Sequence, residues 1–144
     1  MDLYTVGYEG ERIDQWIGKL KDAGVTVLID VRERAMSRKK GFSKTVLKNR
    51  LEANHIRYRH ERGLGTPPEV RRKLKRDRDY VSFFAQYNRH LDKQEKRLHE
   101  LVTVMEHEKA CLMCFEKDYR QCHRSVLVER LKKIHPGKVR VEHL

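Results

Sequence analysis

The segment VTVLIDVR (residues 25–32) constrains the fold more than any other stretch of the chain. Its nearly continuous apolar run predicts a strand buried on both faces, the situation of a sheet covered by helices on each side. The surrounding sequence agrees. LYTVGY (3–8) reads as a first strand, followed by GERIDQWIGKLKDAG, where Ile13, Trp16, Ile17 and Leu20 recur at helical spacing and Gly24 closes the helix. KTVLKNRLEANH (44–55) places Val46, Leu47 and Leu51 on one helical face, and IRYRHE (56–61) is a weaker strand. Residues 67–106 are helical, with two helices joined near Asp79. ACLMCFE (110–116) is a fourth strand, HRSVLVERLKKIH a helix, and KVRVEHL (138–144) a fifth strand set off by Pro136-Gly137.

This alternation predicts an α/β fold: one domain over residues 1–144, with a mainly parallel sheet and helices on both faces. The sheet should have about five strands, in an order the sequence leaves open. No repeat, low-complexity tract or linker divides the chain. In open parallel sheets ligands bind beyond the C-terminal strand ends. Those ends carry Tyr8-Glu9-Gly10, Asp30-Val31-Arg32, His60-Glu61, Cys114-Phe115-Glu116 and His143, a convergence of polar and ionisable groups on one edge.

The net charge of +12 favours a polyanionic partner, and nucleic acid, DNA or RNA, is the partner expected. A dense ionic surface, with charged residues at 38%, also occurs in heat-adapted proteins. The N-terminus turns polar at once and no apolar run reaches membrane-spanning length, so a cytoplasmic protein with no membrane partner is expected. With three cysteines, an odd count, thiols or a metal are expected in preference to a disulfide framework.

CFEKDYRQCHRS (114–125) concentrates the chemistry. Cys111, Cys114, Cys122 and His123 have the residue types of a zinc site. However, Cys111 and Cys114 lie three apart in a strand and should face opposite sides, with no glycine nearby to form a ligand turn. No metal and no cofactor are therefore expected. Cys122 falls at a helix N-terminus beside Arg120, His123 and Arg124, where a thiol pKa is lowered, while Cys114 sits at a strand end. Both are candidate nucleophiles, against the plainer reading of Cys114 as a small buried hydrophobe. The Cys114-to-Arg120 spacing has the length of an anion-cradling loop, but it lacks glycine and carries Glu116 and Asp118, which would repel phosphate. The start of the helix, Cys122 to Ser125, could instead grip an anion without covalent chemistry. The basic loop 31–44 adds Arg32, Ser37, Arg38 and Phe42, a composition able to follow a phosphate backbone and stack on a base, against the plainer reading of a solvated connection with Phe42 tucked into the core. Residues 70–78, VRRKLKRDR, give a second basic surface or a merely solvated helix face.

TVGYEG, LIDVR with SRKKGFSK, HIRYRH followed by LG, and LMCFEKDYRQCHR occur in the order of domain-of-unknown-function family 488, which the chain resembles over nearly its whole length. The resemblance implies a compact α/β domain with a polar cluster. It singles out Gly7, Tyr8, Gly10, Asp30, Arg32, Ser37, Arg38, Phe42, Leu64, Gly65, Cys114, Glu116, Cys122, His123 and Arg124. It implies no reaction, and it leaves Cys111 outside the pattern. Met36 stands where many relatives carry proline.

Two functions follow. The first is an enzyme acting on nucleic acid or a nucleotide, by thiol transfer or repair of a modified base. Its catalytic residues would be Cys114, Cys122, Glu116, Asp30 and His123, and Tyr8, Gly10, Arg32, Ser37, Arg38, Phe42 and Arg124 would hold the substrate. The alternative is a non-catalytic nucleic-acid-binding module in which Asp30, Arg32, Glu116 and Arg124 form a structural ion-pair network. Oligomeric state is left open.

Overall fold

The computed structural model describes all 144 residues. Five strands, β1 (Asp2–Gly7), β2 (Val27–Asp30), β3 (Arg57–His60), β4 (Ala110–Cys114) and β5 (Arg140–His143), form one sheet in the order β3-β2-β4-β1-β5. Every pairing is parallel. The α/β fold with helices on both faces is therefore present, and the order supplies what the sequence left open.

The connections explain the two layers. From β1 the chain runs through α1 (Ile13–Asp22) to β2, then through α2 (Lys44–Ala53) outward to β3. It returns across the sheet through α3 (Pro68–Asp77), α4 (Tyr80–Leu91) and α5 (Glu95–His107) to β4, and reaches β5 through α6 (Arg124–Ile134). Right-handed crossovers in opposite directions place α1 and α2 on one face and α3–α6 on the other. Two apolar cores result. Trp16, Leu20, Leu47 and Leu51 pack on Val6, Leu28, Cys111 and Met113, while Leu91, Leu98, Leu101, Leu127 and Leu131 pack on Leu3, Ile29 and Leu112. The alternation along β4 sends Cys111 to one core and Cys114 to the other, as their spacing predicts.

β2 and β4 are buried at every position. The edge strands β3 and β5 are largely open and carry Arg57, Arg59, Arg140 and Glu142, charges that discourage another chain from pairing there.

Two expectations change. Val46 is 51% exposed, so α2 packs through Leu47 and Leu51 alone. The helical stretch 67–106 contains three helices rather than two. The first break falls where expected, with Arg78 in the left-handed region and Asp79 accepting from the Ser82 amide. The second, a single 3-10 turn at Asp92–Gln94, has no glycine or proline. Arg130 of α6 holds it, donating to the Asn88 carbonyl at 3.0 Å and pairing with Asp92 and Glu95. These contacts come from another helix, so local sequence carries no sign of them.

Candidate functional site

β4 lies between β2 and β1, and the chain leaves β4 toward the opposite face from its two neighbours. A crevice opens at such a point, beyond the strand ends. Here it is a cleft of about 530 Å³, with Tyr8, Arg32, Cys114 and His123 on its walls and Arg71 and Lys75 of α3 across from them. A second cavity of about 720 Å³ adjoins it through Glu33, Arg34, Met36 and Arg71, and extends toward Lys44 and Arg72.

Two glycines let backbone segments cross at this edge. A Cβ on Gly7 would lie 1.9 Å from the Glu116 carbonyl oxygen, and one on Gly65 would lie 2.1 Å from the Glu33 amide nitrogen. The loop after β4 therefore lies directly over the end of β1, with the Phe115 carbonyl accepting from the Tyr8 and Glu9 amides.

The inner wall is a buried ion-pair network. Asp30 is fully buried and receives Arg32 through both carboxylate oxygens, Nε at 2.9 Å and Nη2 at 2.8 Å. The Arg32 amide and the Tyr58 hydroxyl also donate to it. Arg32 uses Nη1 on the Phe42 carbonyl and the Tyr8 hydroxyl. Burial alone would lower the Arg32 pKa, but the hydrogen bond and charge of Asp30 outweigh it and hold the guanidinium more firmly protonated. Burial, with the Asp30 charge beside it, pushes the Tyr58 hydroxyl up and keeps it a donor.

Arg124 is buried beneath the loop, donating to the Glu116 carbonyl at 2.6 Å and to Thr5 Oγ1 at 3.3 Å. Its Nε finds no partner, and burial lowers its pKa. The expected network is thus divided. Asp30 and Arg32 form an ion pair, whereas Arg124 grips the backbone of Glu116 rather than its carboxylate. Glu116 Oε2 instead lies 3.3 Å from Cys114 Sγ, and burial raises that carboxyl's pKa.

The thiol-dependent enzyme is overturned. Cys114 and Cys122 are joined in a disulfide, so neither stands as a free nucleophile. The remaining thiol, Cys111, is buried under the sheet and burial pushes its pKa up. Two of the residues proposed to assist catalysis, Asp30 and His123, have structural partners. Asp30 is saturated by Arg32 and Tyr58. His123 donates from Nε2 to the Val31 carbonyl at 2.7 Å, and burial lowers its pKa to about 4. The nucleic-acid- or nucleotide-directed enzyme built on this cluster is corrected to a structural cluster of disulfide and ion pairs. The expectation of thiols in place of disulfides fails at the same bond.

The residues expected to hold substrate divide as well. Tyr8, Arg32 and Ser37 line the cleft, but Phe42 is fully buried and stacks on Tyr8 at 4.5 Å, leaving no ring face for a base. Ser37 closes its own loop, its Oγ accepting from the Lys39 amide while its amide donates to Ser43 Oγ. Arg38 and Gly10 are exposed outside the cleft walls. Ser125 donates to the Cys122 carbonyl and Arg124 points inward, so the start of α6 presents neither side chain to an anion.

Sequence reasoning left out Arg71, Lys75 and Phe115 as site residues. Arg71 and Lys75 are four apart, on one face of α3 and turned to the cleft. The signal was present in VRRKLKRDR, but which face of α3 meets the sheet is decided by packing. Phe115 is 45% exposed beside them, its ring edge-on to Tyr8.

Among known families, the model of Domain of unknown function DUF488 matches residues 12–131. No curated protein and no solved structure matches the chain. No helix is long and apolar enough to cross a membrane.

Proposed function

This chain belongs to the family described as Domain of unknown function DUF488, and we propose that it is a non-catalytic module that binds single-stranded nucleic acid along the cleft at the strand ends. The observation that carries this reading is the pairing of two basic segments across one groove. Arg34 comes from the loop after β2 and Lys44 from the first turn of α2, Arg71, Arg72 and Lys75 come from α3, and the two cavities between them run together. Phosphates neutralised by such a row release counterions, which supplies affinity without reading sequence. Phe115 is the exposed aromatic beside the row, and stacking on a base contributes about 1–3 kcal/mol in such sites. A stacked base must be unpaired, which selects a single strand over a duplex.

Glu33 tempers the row, pairing with Arg62 at 3.2 Å and Arg71 at 3.8 Å. Arg34, Arg72 and Lys75 form no ion pair, so their charge remains available to a ligand. In this reading Cys114-Phe115-Glu116 and Cys122-His123-Arg124 are the family's shared motif, and their work is to shape the groove.

The test is fluorescence anisotropy with a labelled single-stranded oligonucleotide. Arg71→Gln with Lys75→Gln should weaken binding about tenfold at moderate salt, and Phe115→Ala should weaken it with no change in salt dependence. Unaltered affinity in the double variant would sink the proposal.

A further inference from the structure

The sulfurs of Cys114 and Cys122 and a ring nitrogen of His123 lie within 4.8 Å of one another, all three residues buried at the floor of the cleft. A disulfide explains the first two. It does not explain the imidazole. Carbonyl oxygens only accept, so the 2.7 Å contact to Val31 fixes the proton on Nε2 and leaves the Nδ1 lone pair aimed at Cys122 Sγ, 3.6 Å away. The Tyr87 ring, edge-on at 5.1 Å, holds the imidazole in that orientation. A histidine whose remote N–H is tied to a backbone carbonyl, with its other nitrogen facing thiol sulfurs, has the arrangement of a metal ligand with its supporting hydrogen bond.

We propose that Cys114, Cys122 and His123 form a zinc site when the disulfide is reduced, so that the pair alternates between a covalent bond and a metal bridge. Two sulfurs and one imidazole match zinc's preference for soft and borderline donors over the oxygen sets chosen by calcium or magnesium. Zinc–sulfur and zinc–nitrogen bonds of about 2.3 and 2.0 Å set tetrahedral edges of about 3.5–3.8 Å. The Cys122–His123 separation is already in that range. The Arg124 amide donates to Cys122 Sγ at 3.5 Å, a contact that favours the thiolate over the thiol. The fourth position opens to the cleft, where Glu116 Oε2 stands 3.3 Å from Cys114 Sγ. Cys111 takes no part, because β4 sends it to the other face.

In the exchange, a dithiol reductant gives two electrons and two protons to the Cys114–Cys122 bond and becomes a disulfide itself. Zinc then binds both sulfurs and displaces their two protons to solvent. Thiol–disulfide exchange with a small-molecule disulfide reverses the sequence: that disulfide takes two electrons from the two thiolates and two protons from solvent to become two thiols, the Cys114–Cys122 bond re-forms and the ion is released. This site is independent of whether the groove holds nucleic acid.

The test compares one protein in two states. Wild-type protein, reduced with a dithiol and freed of it under argon, is titrated with cobalt(II) and dialysed against zinc, in parallel with the disulfide form. The reduced form should take up one ion per chain and show thiolate-to-cobalt charge transfer in the near ultraviolet, and the disulfide form should show neither. Cys111→Ser should keep the band. Cys122→Ser should lose it, and His123→Gln should weaken zinc binding by more than about tenfold. Should Cys122→Ser fail to fold, the disulfide form supplies the same comparison with the fold intact. Equal uptake in both redox states, no uptake in the reduced state, or loss of the band in Cys111→Ser would each overturn the site.

Discussion

At the scale of single residues, the inner wall of the groove is set by pairs that tolerate little change. Asp30 has no access to water and accepts from Arg32 and Tyr58. Removing its charge strands a buried guanidinium, and breaking such a pair costs about 3–5 kcal/mol. Asp30→Ala should lose about that much in urea denaturation, and Tyr58→Phe about 1 kcal/mol, the scale of one hydrogen bond. If Asp30→Ala lost no more than Tyr58→Phe, the network would not be structural. Gly7→Ala should also destabilise strongly, because the new methyl meets the Glu116 carbonyl rather than a side chain that can swing away. These identities were legible before the fold was known. Asp30, Arg32 and Cys114 at strand ends, and Cys122 at the start of a helix, stand out in the sequence as ionisable or reactive groups. Their roles were not legible, because whether an Arg faces a carboxylate or a carbonyl depends on sub-ångström packing. Arg124 and Phe42 show this most clearly: a guanidinium and an aromatic ring assigned to a ligand are both committed to the interior.

At the scale of elements, the connection from β4 to α6 is stapled by its own disulfide. For a closed loop with a sequence separation of 8, chain-entropy arguments give about 2–3 kcal/mol of stabilisation. Cys114→Ser and Cys122→Ser should therefore lower stability by similar amounts. Reduction of the wild type in the presence of a metal chelator should match them, as read by urea midpoints with and without dithiol. Unequal losses in the two variants would mean that one cysteine matters for packing rather than for the bond. The C-terminal strand gives a pH-dependent counterpart. His143 stacks on Tyr119 at 3.5 Å and meets Thr5 through Nδ1, and burial lowers its pKa, with Arg124 and Lys132 adding to the effect. In the unfolded chain its pKa returns to about 6.5, so protons bind the unfolded state first and stability falls as pH drops through that value. His143→Gln should make this fall shallower, and an unchanged slope between pH 7 and pH 5 would contradict the assignment. The strands and most helices were readable from periodicity. The break between α4 and α5 was not, because it has no glycine or proline and its contacts with Arg130 come from another helix.

At the scale of the whole molecule, the parallel sheet brings one edge of every strand together, and the order β3-β2-β4-β1-β5 places the crevice beside β4. The alternation of strand and helix in the sequence was enough to say that a site lies at those ends. The strand order, which decides which ends become neighbours, comes from long-range pairing and left no local trace. The same holds for the approach of α3 to the loop after β2, which turns two separate basic runs into opposing walls. The net charge of +12 gains direction from that approach. The most direct measurement is the affinity for a single-stranded oligonucleotide across a salt series, for the wild type and for Arg71→Gln with Lys75→Gln. A steep fall with salt is predicted, with the slope of log affinity against log salt shallower by about 1.4 in the double variant, roughly 0.7 for each phosphate no longer neutralised. A flat salt response in the wild type, or identical slopes in the two proteins, would contradict the account.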